Sequence, residues 1–304
     1  MSAHAGKAAG PAELLRRRVA DDPSNPLVTF YDDATGERVE LSARTFDNWV
    51  AKTANFLVDG LAAEPGMRAV LVLPPHWQTA VWLMACWSAG LLVEPIDPEA
   101  VRRRGANAPT TGDPTTGDPN RTRSDRVEPV GAAEPYILAA AQEVLDDVLT
   151  DEGLTGGAEE VVGLSLHALG GPLADCPPGV TDYAAEVRTY GDRFVPGPEV
   201  TPETPAMSVT KDTLTAAELV TAGRATAAKW ELDARDRLLV GMSFATLDGV
   251  LTGLLAPLIS GASVIIQRNF DKAALDRRTT VEHVTVVAGL PGWNDESGHP
   301  RRLT

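Results

Sequence analysis

Short apolar runs alternate with helical patterns along this chain, and this alternation most limits what the chain can fold into. Met67–Leu73 predicts a buried strand, Trp77–Ala89 a helix that is apolar nearly all round, and Leu91–Ile96 another buried strand. Strands with apolar residues on both faces are typical of parallel sheets that helices cover on both sides. The order strand, helix, strand therefore predicts an α/β fold with mainly parallel sheets.

A hairpin and a capped helix precede this unit. Leu27–Tyr31 and Arg38–Leu41 predict two strands joined by the turn at Asp32–Gly36, where glycine allows a positive φ. Ser42 can cap the next helix, whose apolar residues recur at steps of three and four until Gly60 ends it.

The second half of the chain repeats the pattern, so we expect two α/β units. A ligand of such a fold would bind between the units or at the carboxyl ends of the strands. The predicted strands are Val161–Leu166, Arg237–Met242, Ala262–Gln267 and Val284–Ala288, and the predicted helices are Thr213–Lys229, Asp248–Ser260 and Lys272–Thr280.

Two breaks rich in polar residues and proline divide the chain. Residues 99–135 contain the duplication TTGDPTTGDP, which has no apolar side chain and predicts a disordered insertion. Pro196–Pro205 carries four prolines and predicts an extended connector. The predicted organisation is a first α/β unit at 1–98, the insertion at 99–135, a continuation at 136–195, the connector at 196–211, a second α/β unit at 212–290 and a frayed tail at 291–304.

The charge balance makes nucleic acid an unexpected partner. The 27 basic and 42 acidic residues give a formal charge of −15, which repels phosphate backbones. The one basic cluster, at Arg102–Arg104 and Arg121–Arg126, lies in the insertion. A solvated linker explains it better than a phosphate site, because nothing nearby in the sequence would hold the guanidinium groups in a fixed geometry.

The remaining patterns predict a cytoplasmic protein without a metal site. No apolar run approaches the ~20 residues that cross a bilayer, and the N-terminus lacks a signal pattern, so we expect no membrane partner. The two cysteines form no CxxC pair, which suits a reducing compartment. The five histidines show no HxH or HExxH spacing. His76 follows two prolines and predicts an exposed residue at a helix start.

Two segments of the chain carry recognisable motifs. The first contains ANFL at Ala54–Leu57, GLAAEPGMRAVLVLP at Gly60–Pro74 and PIDP at Pro95–Pro98. The second contains DRLLVGMSFATLDGVLTGLLAPLISGASVII at Asp236–Ile266. Both segments resemble the N-terminal part of the adenylate-forming superfamily, the AMP-binding, acyl-CoA synthetase-like enzymes. The chain is also similar to a family of short actinobacterial AMP-binding-like proteins. The resemblance implies two α/β units with mainly parallel sheets, like part of the large domain of an AMP-binding enzyme.

The chain departs from the superfamily where ATP would bind. In the superfamily, a loop rich in glycine, serine and threonine binds the ATP phosphates. The corresponding segment of this chain is TPAMSVTKDTLTAAEL at Thr204–Leu219, which has no glycine. Lys211 is its only basic residue, and a solvated side chain explains it better than phosphate binding. The superfamily's histidine aligns with Thr246. The neighbouring Asp248 and Gly249 match the pattern, but a helix N-cap and a small residue for close packing explain them better than a ligand site.

The resemblance also places the adenine-stacking aromatic, the ribose-binding acid and the C-terminal lid after the matching segments, so we expect none of them here. The sequence therefore predicts no catalytic residue and no cofactor. It predicts a binding or regulatory protein. One alternative is an acyl- or aryl-adenylating ligase that uses ATP and Mg²⁺ and needs a partner or a missing C-terminal part. Another is a self-associating structural module. An open sheet edge at Val284–Ala288 would serve a protein partner or a second copy alike.

Overall fold

The computed structural model describes residues 10–106, 134–168, 170–210, 212–291 and 300–303. Its strands form two sheets. In chain order they are β1 Pro26–Asp32, β2 Glu37–Ser42, β3 Arg68–Val72, β4 Leu92–Ile96, β5 Tyr136–Ala141, β6 Ala158–Leu164, β7 Val180–Asp182, β8 Pro205–Val209, β9 Asp212–Thr215, β10 Arg237–Val240, β11 Ser263–Arg268, β12 Val286–Ala288 and β13 Arg301–Leu303.

Helices connect and cover the strands. They are α1 Pro11–Asp21, α2 Ala43–Asn55, α3 Trp77–Ala89, α4 Pro98–Ala106, α5 Leu145–Thr150, α6 Glu152–Thr155, α7 Tyr183–Glu186, α8 Ala216–Lys229, α9 Leu247–Val250, α10 Ala256–Ser260 and α11 Lys272–Val281. A π-helical turn extends α2 through Phe56–Gly60, and another at Leu251–Leu255 joins α9 to α10.

The six-stranded sheet has the order β13-β12-β10-β11-β1-β2. All its pairs are parallel except β1 with β2, so the first hairpin of the chain is built onto strands from its second half. Leu238 pairs with both Val264 and Val286, and all three side chains are buried. Buried aliphatic residues on neighbouring strands account for the parallel arrangement.

The seven-stranded sheet has the order β7-β6-β5-β3-β4-β8-β9 and is parallel except for β8 with β9. Every residue of its inner strand β5 is buried. Helix α3 contacts β4 in this sheet and β1 in the other, and all its residues are buried. One apolar core therefore continues through both sheets.

The α/β fold with mainly parallel sheets is confirmed, and α3 has the predicted bounds. Several features differ from the sequence analysis, and two of them concern β5 and the first hairpin. Strand β5 was not predicted, because YILAAA follows the polar insertion without a helix or turn signal before it. The hairpin β1–β2, assigned to the first unit, pairs with β11 and belongs to the same sheet as the second unit. The remaining domain bounds stay predictions.

The predicted insertion and tail both contain regular structure. Helix α4 includes residues 99–106, and Arg102 forms ion pairs with Glu99 and Glu143, so these arginines are not part of a solvated linker. The TTGDPTTGDP duplication and the second group of arginines lie outside the described residues. In the tail, β13 pairs with β12 along its whole length. The open edge expected at Val284–Ala288 is therefore wrong, because residues 301–303 supply its missing neighbour.

Candidate functional site

The place of the superfamily's phosphate loop is a tight hairpin. Strands β8 and β9 pair from Pro205 and Thr215 up to Val209 and Asp212, which leaves two residues between them. The first, Thr210, has φ 60°, as a two-residue hairpin turn requires at its first position. A phosphate cradle needs several successive backbone N–H groups turned toward the anion, and a two-residue turn cannot supply them. Lys211 lies outside the described residues.

The other predicted site residues begin the helix that follows β10. Thr246 is its N-cap: the threonine hydroxyl accepts a hydrogen bond from the Gly249 amide at 3.1 Å and donates one to the Ser243 carbonyl at 2.9 Å. Asp248 is exposed in the first turn, where a negative charge favours the helix. A Cβ on Gly249 would lie 1.9 Å from the Ser243 oxygen. The threonine caps the helix, and the glycine permits close packing.

Apolar packing fills the carboxyl ends of β10 and β12. A Cβ on Gly241 would lie 2.3 Å from Leu290 Cδ2, and a Cβ on Gly289 would lie 2.2 Å from Met242 Cγ. Phe244 is also buried there. The loops after these two strands therefore close on each other. The two clefts described below contain none of Thr246, Asp248 and Gly249.

A cleft of about 630 Å³ lies where carboxyl ends of strands from both sheets meet, and we call it the inter-sheet cleft. Asp32 ends β1, Arg268 ends β11, Ala141 ends β5 and Ser165 follows β6, and all four line the cleft. The carboxyl edge of parallel strands is the usual position of ligands in open α/β sheets. The sequence analysis predicted a site of this kind, but it named none of these residues.

Charged side chains of the cleft are held in a network. Arg268 pairs with Glu143 and lies 3.8 Å from the carboxylate of the buried Asp32. Asp32 also accepts hydrogen bonds from Asn269 Nδ2 and from the Ala34 amide. These contacts span both sheets, because Glu143 follows β5 and Asp32 ends β1. The network fixes the floor of the cleft.

His76 and Glu37 form a buried polar pair at this cleft. Glu37 lines the cleft, and His76, whose side chain is 1% exposed, places its Nε2 atom 3.8 Å from Glu37 Oε1. This distance is too long for a hydrogen bond, and neither atom has another partner among the described residues. The expectation that His76 is an exposed residue is therefore wrong, although it does begin α3.

The protonation of His76 follows from its contacts. Burial lowers the pKa of His76, and the Glu37 carboxylate opposes this effect only in part. The imidazole is therefore neutral near pH 7. Its Nδ1 atom accepts a hydrogen bond from the Gln78 amide at 3.1 Å, so Nε2 carries the hydrogen. The pair consequently offers one unsatisfied donor, on His76, next to one unsatisfied acceptor, on Glu37.

The hydroxyl of Ser165 and the thiol of Cys86 are potential nucleophiles. The Ser165 hydroxyl donates to the Gly171 carbonyl, so no base activates it. Burial raises the pKa of the Cys86 thiol, which makes it a poor nucleophile. No group of three or more histidine, cysteine or acidic side chains within the described ranges could hold a metal ion. Nor does any helix in them have the length and apolarity needed to cross a membrane.

Comparisons with known proteins agree with the fold. No protein-family model matches the chain. A "TIGR03089 family protein" of Mycobacterium tuberculosis is 39% identical over 274 residues, which are 90% of this chain and 96% of that protein.

Among solved structures, the N-terminal domain of FACL13 from Mycobacterium tuberculosis matches 93% of this chain with TM-score 0.66 and 15% identity. A benzoate CoA ligase from Burkholderia xenovorans matches 93% with TM-score 0.66 and 14% identity. A Brucella canis acyl-CoA synthetase matches 94% with TM-score 0.68 and 15% identity. The matched parts are 63%, 50% and 49% of those chains, respectively. The chain thus has the fold of the N-terminal part of AMP-binding enzymes.

Proposed function

The chain belongs to the TIGR03089 protein family, and we propose that it is a non-catalytic binding or regulatory protein built on the adenylate-forming fold. The matched family member in Mycobacterium tuberculosis aligns with this chain over nearly its full length. In this proposal the fold supplies a rigid frame, and the ligand site differs from that of the ligases. Function depends on the residues at a site and not on the fold that carries them.

The hairpin β8–β9 is the observation that carries this proposal. Activation of a carboxylate by ATP needs positioned cations or amides around the phosphates during phosphoryl transfer. With two residues between Val209 and Asp212, the backbone has no loop that could surround a triphosphate. At the carboxyl ends of β10 and β12, Leu290 and Met242 fill the space beside Gly241 and Gly289.

We place the ligand of this protein in the inter-sheet cleft. An unsatisfied buried polar atom costs ~1–3 kcal/mol, and Glu37 Oε1 and His76 Nε2 are two such atoms 3.8 Å apart. Glu37 lines the cleft, so a hydroxyl or amide group bound there can donate to its carboxylate. The proposed ligand is therefore a small polar molecule that carries such a group.

A carboxylate-adenylating ligase is the second candidate, and the shared fold with CoA ligases favours it. Under this alternative the chain would use ATP and Mg²⁺ together with a partner chain or a further domain. Lys211 would then be the basic group that meets the phosphates.

ATP–pyrophosphate exchange distinguishes the two candidates. The purified chain, supplied with Mg²⁺ and a panel of aliphatic and aromatic carboxylic acids, should show no exchange above a protein-free control. Exchange that a Lys211→Ala substitution abolishes would refute the non-catalytic proposal and support the ligase.

A crystallographic soak with small hydroxyl- and amide-bearing fragments tests the position of the ligand. Fragments should occupy the inter-sheet cleft next to Glu37. Occupancy only at other surfaces would refute this position, whatever the exchange assay shows.

A further inference from the structure

A second cleft lies at the opposite edge of the six-stranded sheet, and we call it the amino-end cleft. It has a volume of about 750 Å³, and its lining includes Pro26, Arg237 and Ser263, which begin β1, β10 and β11. Residues of α1 and α10 form its other walls. The inter-sheet cleft lies at the carboxyl ends of β1 and β11, so the two clefts are separated by the length of these strands.

Four arginines line the amino-end cleft: Arg17, Arg18, Arg224 and Arg237. Two acidic residues, Asp21 and Asp22, line it as well. The residues that line the cleft carry more positive than negative charge, but carboxylates just outside the lining, on Glu13, Glu40 and Glu282, pair with Arg17 and Arg237. Arg224 has no such pair among the described residues, and its charge attracts anions.

Two of these arginines are buried and incompletely paired. Arg18 is 9% exposed, and the side chain of Arg237 is 16% exposed. Asp22 accepts from Arg18 Nη1 at 2.8 Å, and Glu282 and Glu40 pair with Arg237 Nη2. The Nε atoms of both arginines are buried and have no acceptor among the described residues. A buried N–H without a partner is costly, so an acceptor in the cleft would stabilise both side chains.

Arg224 is free to bind a ligand. It lies on the exposed side of α8 and has no ion pair or side-chain hydrogen bond with any described residue. Arg17, in contrast, is exposed and already pairs with Glu13 at 2.9 Å. The cleft thus combines fixed, buried guanidinium groups with a mobile one at its surface, and Asn25 and Ser263 add neutral polar groups.

We propose that the amino-end cleft binds the phosphoryl group of a small molecule. The planar guanidinium group presents N–H donors in a fork that matches phosphate oxygens, and two or more such groups favour a multiply charged anion. The volume lies within the range of small-molecule sites, and Leu14 and Leu258 provide apolar surface for an uncharged part of the ligand. This inference goes beyond the proposed function, because the site is at the other edge of the sheet.

Titration calorimetry with inorganic pyrophosphate at low salt tests the proposal on the full chain. We expect saturable binding, which Arg224→Gln weakens by about tenfold, as the loss of charged hydrogen bonds predicts. Arg224 is exposed, so this variant should fold normally. Arg235→Gln is the matched control, because Arg235 is 90% exposed, pairs with Asp233 and does not line the cleft. It should change the affinity less than twofold.

A carboxylate probe distinguishes the chemical class. Citrate has comparable charge and should bind at least tenfold more weakly than pyrophosphate if the site is shaped for phosphoryl oxygens. Equal or tighter binding of citrate would overturn this assignment. Absence of pyrophosphate binding, or binding that Arg224→Gln leaves unchanged, would overturn the site itself.

Discussion

Replacing Glu282 by glutamine should destabilise the protein, relative to the wild type, much more at neutral pH than at acid pH. Glu282 follows α11, and its side chain is 9% exposed. Its carboxylate accepts hydrogen bonds from the Tyr31 hydroxyl, from Arg38 Nε at 3.1 Å and from Arg237 Nη2. Burial raises the pKa of Glu282, but these hydrogen bonds and charges outweigh it and lower the pKa to about 2.

The magnitude follows from the linkage between protonation and folding. The ordinary pKa of 4.5 applies to the unfolded chain, and the folded value is about 2. At ~1.4 kcal/mol for each pH unit, the ionised carboxylate contributes about 3 kcal/mol to the free energy of unfolding. Because the folded pKa is the lower one, this contribution is complete above pH 4.5 and is lost as the pH falls toward 2.

Urea unfolding of both proteins at pH 7 and pH 3 measures this effect. Glu282→Gln should lower the free energy of unfolding by about 3 kcal/mol at pH 7 and by less than half as much at pH 3, where the wild-type carboxylate has lost most of its advantage. Glu203→Gln is the control, because Glu203 is exposed and has no ion pair among the described residues. A Glu282→Gln effect of equal size at both pH values would refute the reasoning.

Two further substitutions test the packing and the sheet edge. Gly249→Ala should lower the free energy of unfolding, measured by thermal unfolding, by about 1–3 kcal/mol, because the added methyl group would lie 1.9 Å from the Ser243 oxygen. Gly191→Ala is the control and should be neutral, because its methyl group meets its nearest atom at 3.6 Å. Equal effects of the two substitutions would contradict the packing argument. Removal of residues 300–304 should uncover β12 and cause the protein to associate as its concentration rises, which light scattering measures. A truncated chain that scatters like the full chain would show that β13 does not protect this edge.

Local signals were sufficient to predict most elements of the fold. Ser42 caps α2 as expected, with its hydroxyl accepting from the Thr45 amide. Gly90 and Gly261 end their helices with φ 80° and 81°, the left-handed conformation that glycine adopts without strain. Helix caps and buried strands depend on neighbouring residues in the chain. They can therefore be read without knowledge of the tertiary structure.

The pairing of distant strands and the clefts could not be read in this way. Neither the hairpin β1–β2 nor the tail strand β13 carries a local signal for its partner. Val28 of β1 pairs with Val264, far away in sequence, and Arg301 of β13 pairs with Val286. The same holds for His76. Its position after Pro74 and Pro75 indicated the helix start, but its burial depends on Phe30, whose ring lies 4.2 Å away and belongs to the other sheet.

The strand order also bears on the loss of the phosphate loop that the proposed function assumes. Strands β8 and β9 form an outer hairpin of the seven-stranded sheet, and a short turn between them closes as readily as a long loop. The apolar core that joins the sheets includes Ala206 and Met207 of β8, whereas the turn lies beyond the paired ends of the two strands at Val209 and Asp212. A change of loop length at this turn would therefore cost little stability. Under the proposed function, the chain keeps the frame of an adenylating enzyme while its ligand contacts lie at other edges of the two sheets.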